Sequence, residues 1–185
     1  MFLSDFSYSG LLVFMPIILS RSKSHISSQI GIYSTIVGQI LVGMPGSFVS
    51  SFLVHRGYQK RWLVVTGFIL CGLSVFFFLL ANEYWMVFLA ICLNYFFNNI
   101  GYSSIIALIT ESYNVRIRSL GVGWANGWSN VGGAISPLVL GVIFEIEGDI
   151  LLGVFLLSIS FGIVGVLALF LTEPKNLKLL DNQEF

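Results

Sequence analysis

The segment Thr110–Pro137 decides how the chain is interpreted, and it reads T-E-S-Y-N-V-R-I-R-S-L-G-V-G-W-A-N-G-W-S-N-V-G-G-A-I-S-P. It opens with a charged patch that contains Glu111, Arg116 and Arg118 and lies between two long apolar runs. It then enters a run that is apolar enough for a bilayer but carries asparagines and a series of glycines. Such a helix is unfavourable in lipid unless a cavity or neighbouring helices receive its polar groups. The segment therefore predicts a membrane helix with a function.

The composition of the whole chain agrees with a membrane protein. The 185 residues are 56% hydrophobic and 10% charged, with a mean hydropathy of +0.90. Soluble domains average about 45–50% apolar and about 25% charged residues, so these few charges could not form a water-soluble surface. The net charge is zero, which argues against a nucleic-acid partner bound through its phosphates. The expected partners are a lipid bilayer and a small-molecule substrate.

The residues that bind metals or do covalent chemistry are sparse. Cys71 and Cys92 both lie in apolar runs, where a cysteine is usually a small buried hydrophobe. His25 and His55 fall in different polar breaks, so no metal-ligand cluster is visible. We expect no catalytic residues, no metal and no cofactor. An intramembrane enzyme and an ion channel are both poorly supported, because the sequence shows neither paired carboxylates nor a filter-like repeat.

Six segments are long and apolar enough for spanning helices, which need roughly 20 such residues. The predicted segments are Phe2–Leu19, Ile30–Val54, Trp62–Leu80, Trp85–Ile109, Leu120–Phe144 and Ile150–Leu171. The fold class is therefore all-α, with a six-helix transmembrane bundle over residues 1–171 and a tail over residues 172–185. The third and sixth segments are apolar on every side, which predicts a scaffold that faces lipid.

The basic residues predict how the bundle is oriented, because lysine and arginine accumulate on the cytoplasmic side. One side of the predicted topology holds only Arg21 and Lys23. The other side holds seven basic residues: Arg56, Lys60, Arg61, Arg116, Arg118, Lys175 and Lys178. This asymmetry predicts a multi-pass protein whose C-terminal tail is cytoplasmic.

The first predicted helix carries an acidic residue with polar neighbours. Asp5, Tyr8 and Ser9 are spaced i, i+3, i+4 and share one helical face. A carboxylate inside a membrane is a candidate functional group. The alternative is that Asp5, close to the start of its segment, lies among the lipid headgroups.

Two further helices have polar faces. In the fourth, Asn94 and Asn98 are four residues apart, and Tyr102 continues the same face. In the fifth, Asn126 and Asn130 form a comparable stripe. These residues, with Asp5 and Tyr8, are the predicted substrate-binding set. The alternative is that the asparagines only form hydrogen bonds between helices, which contribute about 0.6 kcal/mol on average.

The charged patch resembles a known family signature. Glu111-x-Tyr113-x-x-x-x-Arg118-x-x-Gly121-x-Gly123 is similar to the E-x-Y-P-x-x-x-R-x-x-G-x-G motif of the major facilitator superfamily, in its organic cation/anion transporter branch and synaptic-vesicle-protein relatives. The runs Val131–Gly133, Ser136–Pro137, Tyr8–Leu11 and Leu171–Lys175 also resemble that branch. The sequence departs from the family at His55, where a carboxylate is usual, and at Asn114, where a proline is usual.

The resemblance implies that the six helices correspond to the second half of a twelve-helix carrier. Such carriers pair two six-helix bundles around a central cavity and alternate between inward-facing and outward-facing states. The partner implied is a missing N-terminal six-helix half or a second copy of the chain. The same resemblance implies a cytoplasmic gate, formed by Glu111, Arg118, Arg56, Lys60 and Arg61. The four basic residues of this set are equally well explained as topology determinants.

Two interpretations of function remain. The first is transport of a small organic solute by alternating access, as half of a longer carrier or as a truncated copy. The second is a non-transporting membrane protein, a degenerate paralogue or a structural partner, that keeps the fold. The second is motivated by length, because a central cavity needs twelve helices and the chain has six.

The residue before Val131–Gly133 yields a prediction about substrate charge. In this branch that position is often acidic in cation carriers and arginine in anion carriers, whereas here it is the neutral Asn130. A neutral or zwitterionic solute is therefore favoured, unless Asp5 faces the cavity. We expect Asn130→Asp to shift preference toward cationic solutes, measured by uptake of cation and anion panels. Unchanged uptake of both panels would contradict this role.

Overall fold

The computed structural model describes residues 1–21, 29–80, 83–146 and 150–171. Within these ranges the backbone forms no strand and six α-helices: α1 (Phe2–Arg21), α2 (Gln29–His55), α3 (Lys60–Leu80), α4 (Tyr84–Ser112), α5 (Arg118–Ile146) and α6 (Ile150–Ala168). The predicted all-helical fold is confirmed. Helix ends differ from the predicted segments by three residues or fewer. The predicted tail, residues 172–185, and Lys23 lie outside the described residues.

Four of these helices are long and apolar enough to cross a membrane. Their apolar spans are Tyr33–His55 in α2, Lys60–Phe78 in α3, Arg118–Glu145 in α5 and Leu151–Ala168 in α6. α1 contributes a shorter apolar helix, Phe2–Ile17. α4 interrupts its apolar residues with Asn94, Asn98 and Asn99. Length and composition together describe a multi-pass membrane bundle.

Two parallel helix pairs, α1 with α5 and α2 with α4, flank an antiparallel pair, α3 with α6. α1 lies along α5, and α2 lies along α4, while α3 packs between α4 and α6. The direction of α1 and α5 follows from their contacts, since Phe2 lies against Gly132 and Gly10 lies against Leu140. α1 and α5 therefore run in the same direction, and α5 also contacts α4.

The core forms between α3 and α6. Phe68 of α3 stacks on Phe161 of α6 with ring centroids 6.4 Å apart, and both side chains are fully buried. Around them are buried Val64, Val65 and Cys71 from α3. The prediction that α3 and α6 are a lipid-facing scaffold was therefore incomplete. A helix that is apolar on every side can bury one face in the protein and present the other to lipid, and hydropathy alone cannot distinguish the two.

The connection between α2 and α3 is a tight helix cap. Gly57 has φ of 87°, a left-handed conformation that glycine adopts without a steric penalty. The amide of Tyr58 donates to the carbonyl of Leu53, and the amide of Gly57 donates to Val54, which is the Schellman pattern. The cap reverses the chain within a few residues and so places Arg56 and Lys60 at the same end of the bundle.

α3 and α4 approach closely enough that one pair of glycines sets their distance. A Cβ added to Gly67 would lie 2.8 Å from the backbone nitrogen of Gly101 and 2.9 Å from its Cα. Backbone atoms cannot move aside as a flexible side chain can. Small residues at such crossings allow membrane helices to pack at van der Waals distance.

We expect Gly67→Ala to lower the free energy of unfolding by about 1–3 kcal/mol, because the added methyl group forces α3 and α4 apart. The measurement is thermal unfolding of the detergent-solubilised protein. Gly162→Ala is the matched control, since a Cβ there meets no atom within 4 Å. Equal stability of the two variants would show that this crossing does not set the helix distance.

Candidate functional site

A cavity lined by polar side chains lies between α1 and α4, and we call it the polar cavity. Its volume is about 310 Å³, which is at the lower end of the ~300–1,000 Å³ range of small-molecule sites. It is lined by three residues of α1 and four of α4: Asp5, Tyr8, Ser9, Tyr95, Asn98, Asn99 and Tyr102. The cavity has room for a small organic molecule.

The helical repeat explains why these residues meet. On α1 the lining residues recur at i, i+3 and i+4, and on α4 they begin at Tyr95 and recur at i+3, i+4 and i+7. Each set therefore forms one stripe, and the two stripes face each other. Four residues of the predicted substrate-binding set line this cavity: Asp5, Tyr8, Asn98 and Tyr102. Their part in binding stays a prediction.

A pair of tyrosines joins α1 to α4 across the polar cavity. The hydroxyls of Tyr8 and Tyr95 form a hydrogen bond, and their ring centroids are 5.6 Å apart. Because either hydroxyl can donate, this bond can reverse direction without moving the rings. The pair supplies two polar groups and two aromatic faces to whatever occupies the cavity.

A residue of α5 holds the carboxylate of Asp5 in place. The hydroxyl of Ser129 donates a hydrogen bond to Oδ2 of Asp5. Ser129 is only 2% exposed. A buried serine thus links α5 to α1 beside the cavity.

The position of Ser129 gives the depth of Asp5. Ser129 lies about 16 Å along α5 from Arg118, and about 25 Å before Ile146, at the ~1.5 Å helical rise per residue. Asp5 is hydrogen-bonded to Ser129 and therefore lies at the depth of the interior of the apolar span Arg118–Glu145. This depth favours the intramembrane interpretation of Asp5 over the headgroup interpretation.

The electrostatics of the polar cavity are dominated by one negative group. The described residues of the lining include Asp5 but no lysine, arginine or histidine. The ion pair between Lys60 and Glu111 lies elsewhere, at one end of the bundle. A carboxylate inside a membrane is costly without a partner. Hydroxyl groups offset part of this cost, and a positively charged or N–H-bearing ligand would offset more.

Serines of α2 support the side of the cavity formed by α4. Ser47 donates to Oδ1 of Asn99 over 3.3 Å, and Asn99 donates to the backbone carbonyl of Tyr95 over 2.9 Å. Ser50 and Ser104 form a further buried hydrogen bond between the two helices. Asn99 is thus held in place by α2, whereas no described residue forms a side-chain hydrogen bond with Asn98.

Asn94 lies apart from the polar cavity. Its side-chain amide donates to the carbonyl of Cys71 over 3.2 Å and contacts Sγ of Cys71 at 3.1 Å. The thiol of Cys71 in turn points at the carbonyl of Asn94. These reciprocal contacts join α4 to α3, which is the interhelical alternative that the sequence left open for this residue.

Asn126 and Asn130 lie on the exposed side of α5, and neither lines the polar cavity. α5 instead turns its small residues inward, with Ser129, Gly132 and Ser136 buried toward α1. The asparagine stripe was visible in the sequence, but its i, i+4 spacing does not reveal which neighbour it faces. Any role of these two asparagines in binding requires a partner beyond the described bundle.

The predicted gate residues gather at one end of the bundle. Lys60, at the start of α3, forms an ion pair with Glu111 near the end of α4. Arg118 is exposed at the start of α5. The guanidinium of Arg56 lies 4.6 Å from the ring centroid of Phe52, and that of Arg61 lies 5.7 Å from Trp62. Within the predicted gate set, Glu111 is therefore paired with Lys60.

Together the fold and the cavity define a multi-pass membrane protein with a polar site between its helices. Over residues 1–184 the chain matches the family model of the Major Facilitator Superfamily, and it belongs to that family. This confirms the predicted family and, with the six helices, the half-bundle fold. Members of this family are membrane transporters rather than enzymes.

Two curated relatives are similar to the chain. NiaP of Bacillus subtilis (strain 168), provisionally named a niacin/nicotinamide transporter, is 26% identical over 165 residues, which cover 88% of this chain and 40% of the relative. Solute carrier family 22 member 1 of Sus scrofa is 24% identical over 187 residues, covering 99% of this chain and 31% of the relative. The chain thus spans less than half of the length of either protein.

Sequence reasoning missed Ser129 entirely. It lies between Trp128 and Asn130, two more conspicuous residues, and serine is common in membrane helices. Its signal was positional: Ala125, Ser129 and Gly132 form a small-residue face at helical spacing, and such faces pack on other helices. A hydroxyl on that face, opposite a helix that contains a carboxylate, predicts the contact that the structure shows.

The two asparagines of α4 can be separated by experiment. We expect Asn94→Ala to lower the free energy of unfolding by about 1–2 kcal/mol, since interhelical hydrogen bonds in membranes contribute up to about 1.7 kcal/mol and the amide leaves a void. Asn98→Ala should leave stability nearly unchanged and weaken ligand binding. Thermal unfolding and ligand titration of both variants are the measurements. If instead Asn98→Ala lowered stability and Asn94→Ala weakened ligand binding, the polar cavity would not be the binding site.

Proposed function

We propose that the chain forms six helices of a carrier that moves a small organic solute across a membrane by alternating access. The observation that carries this proposal is the polar cavity, with an intramembrane carboxylate, tyrosine hydroxyls and carboxamides around a volume of about 310 Å³. Transport needs no covalent chemistry, only a site whose access changes between two states. The names of both relatives, a transporter and a solute carrier, agree with it.

The solute we expect carries a positive charge or N–H donors on a compact, partly aromatic body. Asp5 offers a negative charge, and the described residues of the cavity lining include no cationic side chain. Tyr8, Tyr95 and Tyr102 offer ring faces, which attract cations, and hydroxyls, which orient polar groups. Asn98 adds a donor pair and an acceptor. This environment replaces the preference for neutral solutes that the Asn130 position suggested by itself.

The working unit we propose contains a second six-helix bundle of the same family, on the same polypeptide or on a second copy. α2 and α5 are the least covered spans, with 22% of each buried against 50% for α3. An open groove of about 980 Å³ runs along the first half of α5 beside the edge-to-face pair Trp124 and Trp128. Asn126 and Asn130 are exposed on the same helix, so a second bundle would convert their face into an interior one.

The end of the bundle with the gate residues is the cytoplasmic one in this proposal. The Lys60–Glu111 ion pair shows that the α2–α3 and α4–α5 connections lie at the same end. That end carries Arg56, Arg61 and Arg118, and excess basic charge marks the cytoplasmic side. The chain after α6 then also starts in the cytoplasm. The exposed ion pair is well suited to break and re-form, because such pairs contribute only about 0–1 kcal/mol.

Three solutes that share one ring test the proposal, and we call them the pyridine charge series. They are nicotinate, which is anionic, nicotinamide, which is neutral, and N-methylated nicotinamide, which is permanently cationic. The first two follow from the name of the Bacillus relative. Uptake of each into proteoliposomes that contain the full-length gene product is compared with uptake into empty liposomes.

We expect the cationic member to be accumulated best, and Asp5→Asn to reduce its uptake by at least about tenfold, because the variant removes the one charged side chain among the described residues that line the cavity. Uptake of nicotinamide should change much less. Glu145→Gln is the matched control, since it neutralises an exposed carboxylate near the other end of α5. Accumulation of none of the three by the wild type would favour the non-transporting alternative.

A further inference from the structure

We propose that Ser129 is a positioning residue that presents the carboxylate of Asp5 to the solute and thereby sets how the polar cavity discriminates charge. The proposal rests on the proposed function, because it assumes that this cavity binds the solute. It goes further by assigning the discrimination to a residue outside the cavity lining. Ser129 acts through Asp5 and has no direct contact with the solute.

The geometry around Ser129 separates the two oxygens of the carboxylate. Oδ2 of Asp5 accepts the hydroxyl hydrogen of Ser129, while Oδ1 receives no hydrogen bond from any described residue. Asp5 is half-buried and lines the cavity, whereas Ser129 is buried behind it. One oxygen is thus anchored to α5 and the other remains available to a ligand.

The anchor also fixes the side chain in space. An unrestrained aspartate on a helix can occupy several rotamers, of which only some direct its charge into the cavity. A hydrogen bond to an ionised group is stronger than one between neutral groups, so Ser129 can select among those rotamers. Since a serine hydroxyl has one proton, its donation to Asp5 commits that proton and joins α5 to α1 at this point.

Replacing a serine that orients the carboxylate and replacing a serine that only packs between helices have different effects on ligand binding. A serine that only filled the α1–α5 contact would affect all ligands alike when it was replaced, through loss of stability. A serine that orients the carboxylate affects a cationic ligand strongly, a neutral ligand weakly, and neither of them once Asp5 has lost its charge.

The test is calorimetric titration of the detergent-purified full-length gene product with the pyridine charge series. The variants are Ser129→Ala, Ser129→Gly, Ser129→Thr, Asp5→Asn and the double variant Ser129→Ala/Asp5→Asn. Ala and Gly both remove the hydroxyl, so either suffices if the other does not fold, and Thr retains it. Thermal unfolding of each variant reports any structural effect separately from binding.

We expect removal of the hydroxyl to weaken binding of the cationic member about tenfold, as for a lost hydrogen bond to a charged group, and binding of nicotinamide less than about twofold. Ser129→Thr should restore cation binding to near the wild-type value. In the Asp5→Asn background, Ser129→Ala should have no further effect on any of the three.

Two outcomes would overturn the assignment while leaving the proposed function intact. One is an equal loss of affinity for all three ligands, and the other is a loss of equal size with and without the charge of Asp5. Either would reduce Ser129 to a packing residue. A wild-type protein that binds none of the three ligands overturns the proposed function itself, and the role of Ser129 with it.

Discussion

The hydrogen bond between Ser129 and Asp5 is the interaction on which the site depends. A carboxylate at this depth of an apolar bundle is costly unless polar groups surround it. Ser129 provides one, from a helix that runs parallel to α1 and is packed against it through small residues such as Gly10 and Gly133. The same packing that brings the backbones together therefore also brings the hydroxyl to the carboxylate.

The remaining helices hold this contact in place. α3 and α6 form the core around Phe68 and Phe161. α4 packs closely against α3 where Gly67 meets Gly101. α4 in turn presents its tyrosines and asparagines to α1. The apolar core thus lies between α3 and α6, while the residues that line the polar cavity come from α1 and α4.

Much of the fold was predictable because hydropathy specifies membrane helices strongly. Six apolar segments with short breaks gave the six helices, and the motif that begins at Glu111 gave the family. The site was only partly predictable. Asp5 and Tyr8 were found because a polar face on an apolar helix is conspicuous, but Asn94 and Asn98, four residues apart, proved to serve different neighbours. Helical spacing tells which side chains share a face, whereas helix rotation, set by packing, decides what that face meets.

The proposed transport requires that the polar cavity between α1 and α4 receive the solute, with Asp5 as its charged contact. The most direct measurement is an experimental structure of the protein in a lipid nanodisc with the cationic pyridine bound. We expect density for the ring between Tyr8, Tyr95 and Tyr102, with Oδ1 of Asp5 as the nearest negatively charged atom. Density along the exposed face of Asn126 and Asn130, with the polar cavity left without ligand, would contradict the account.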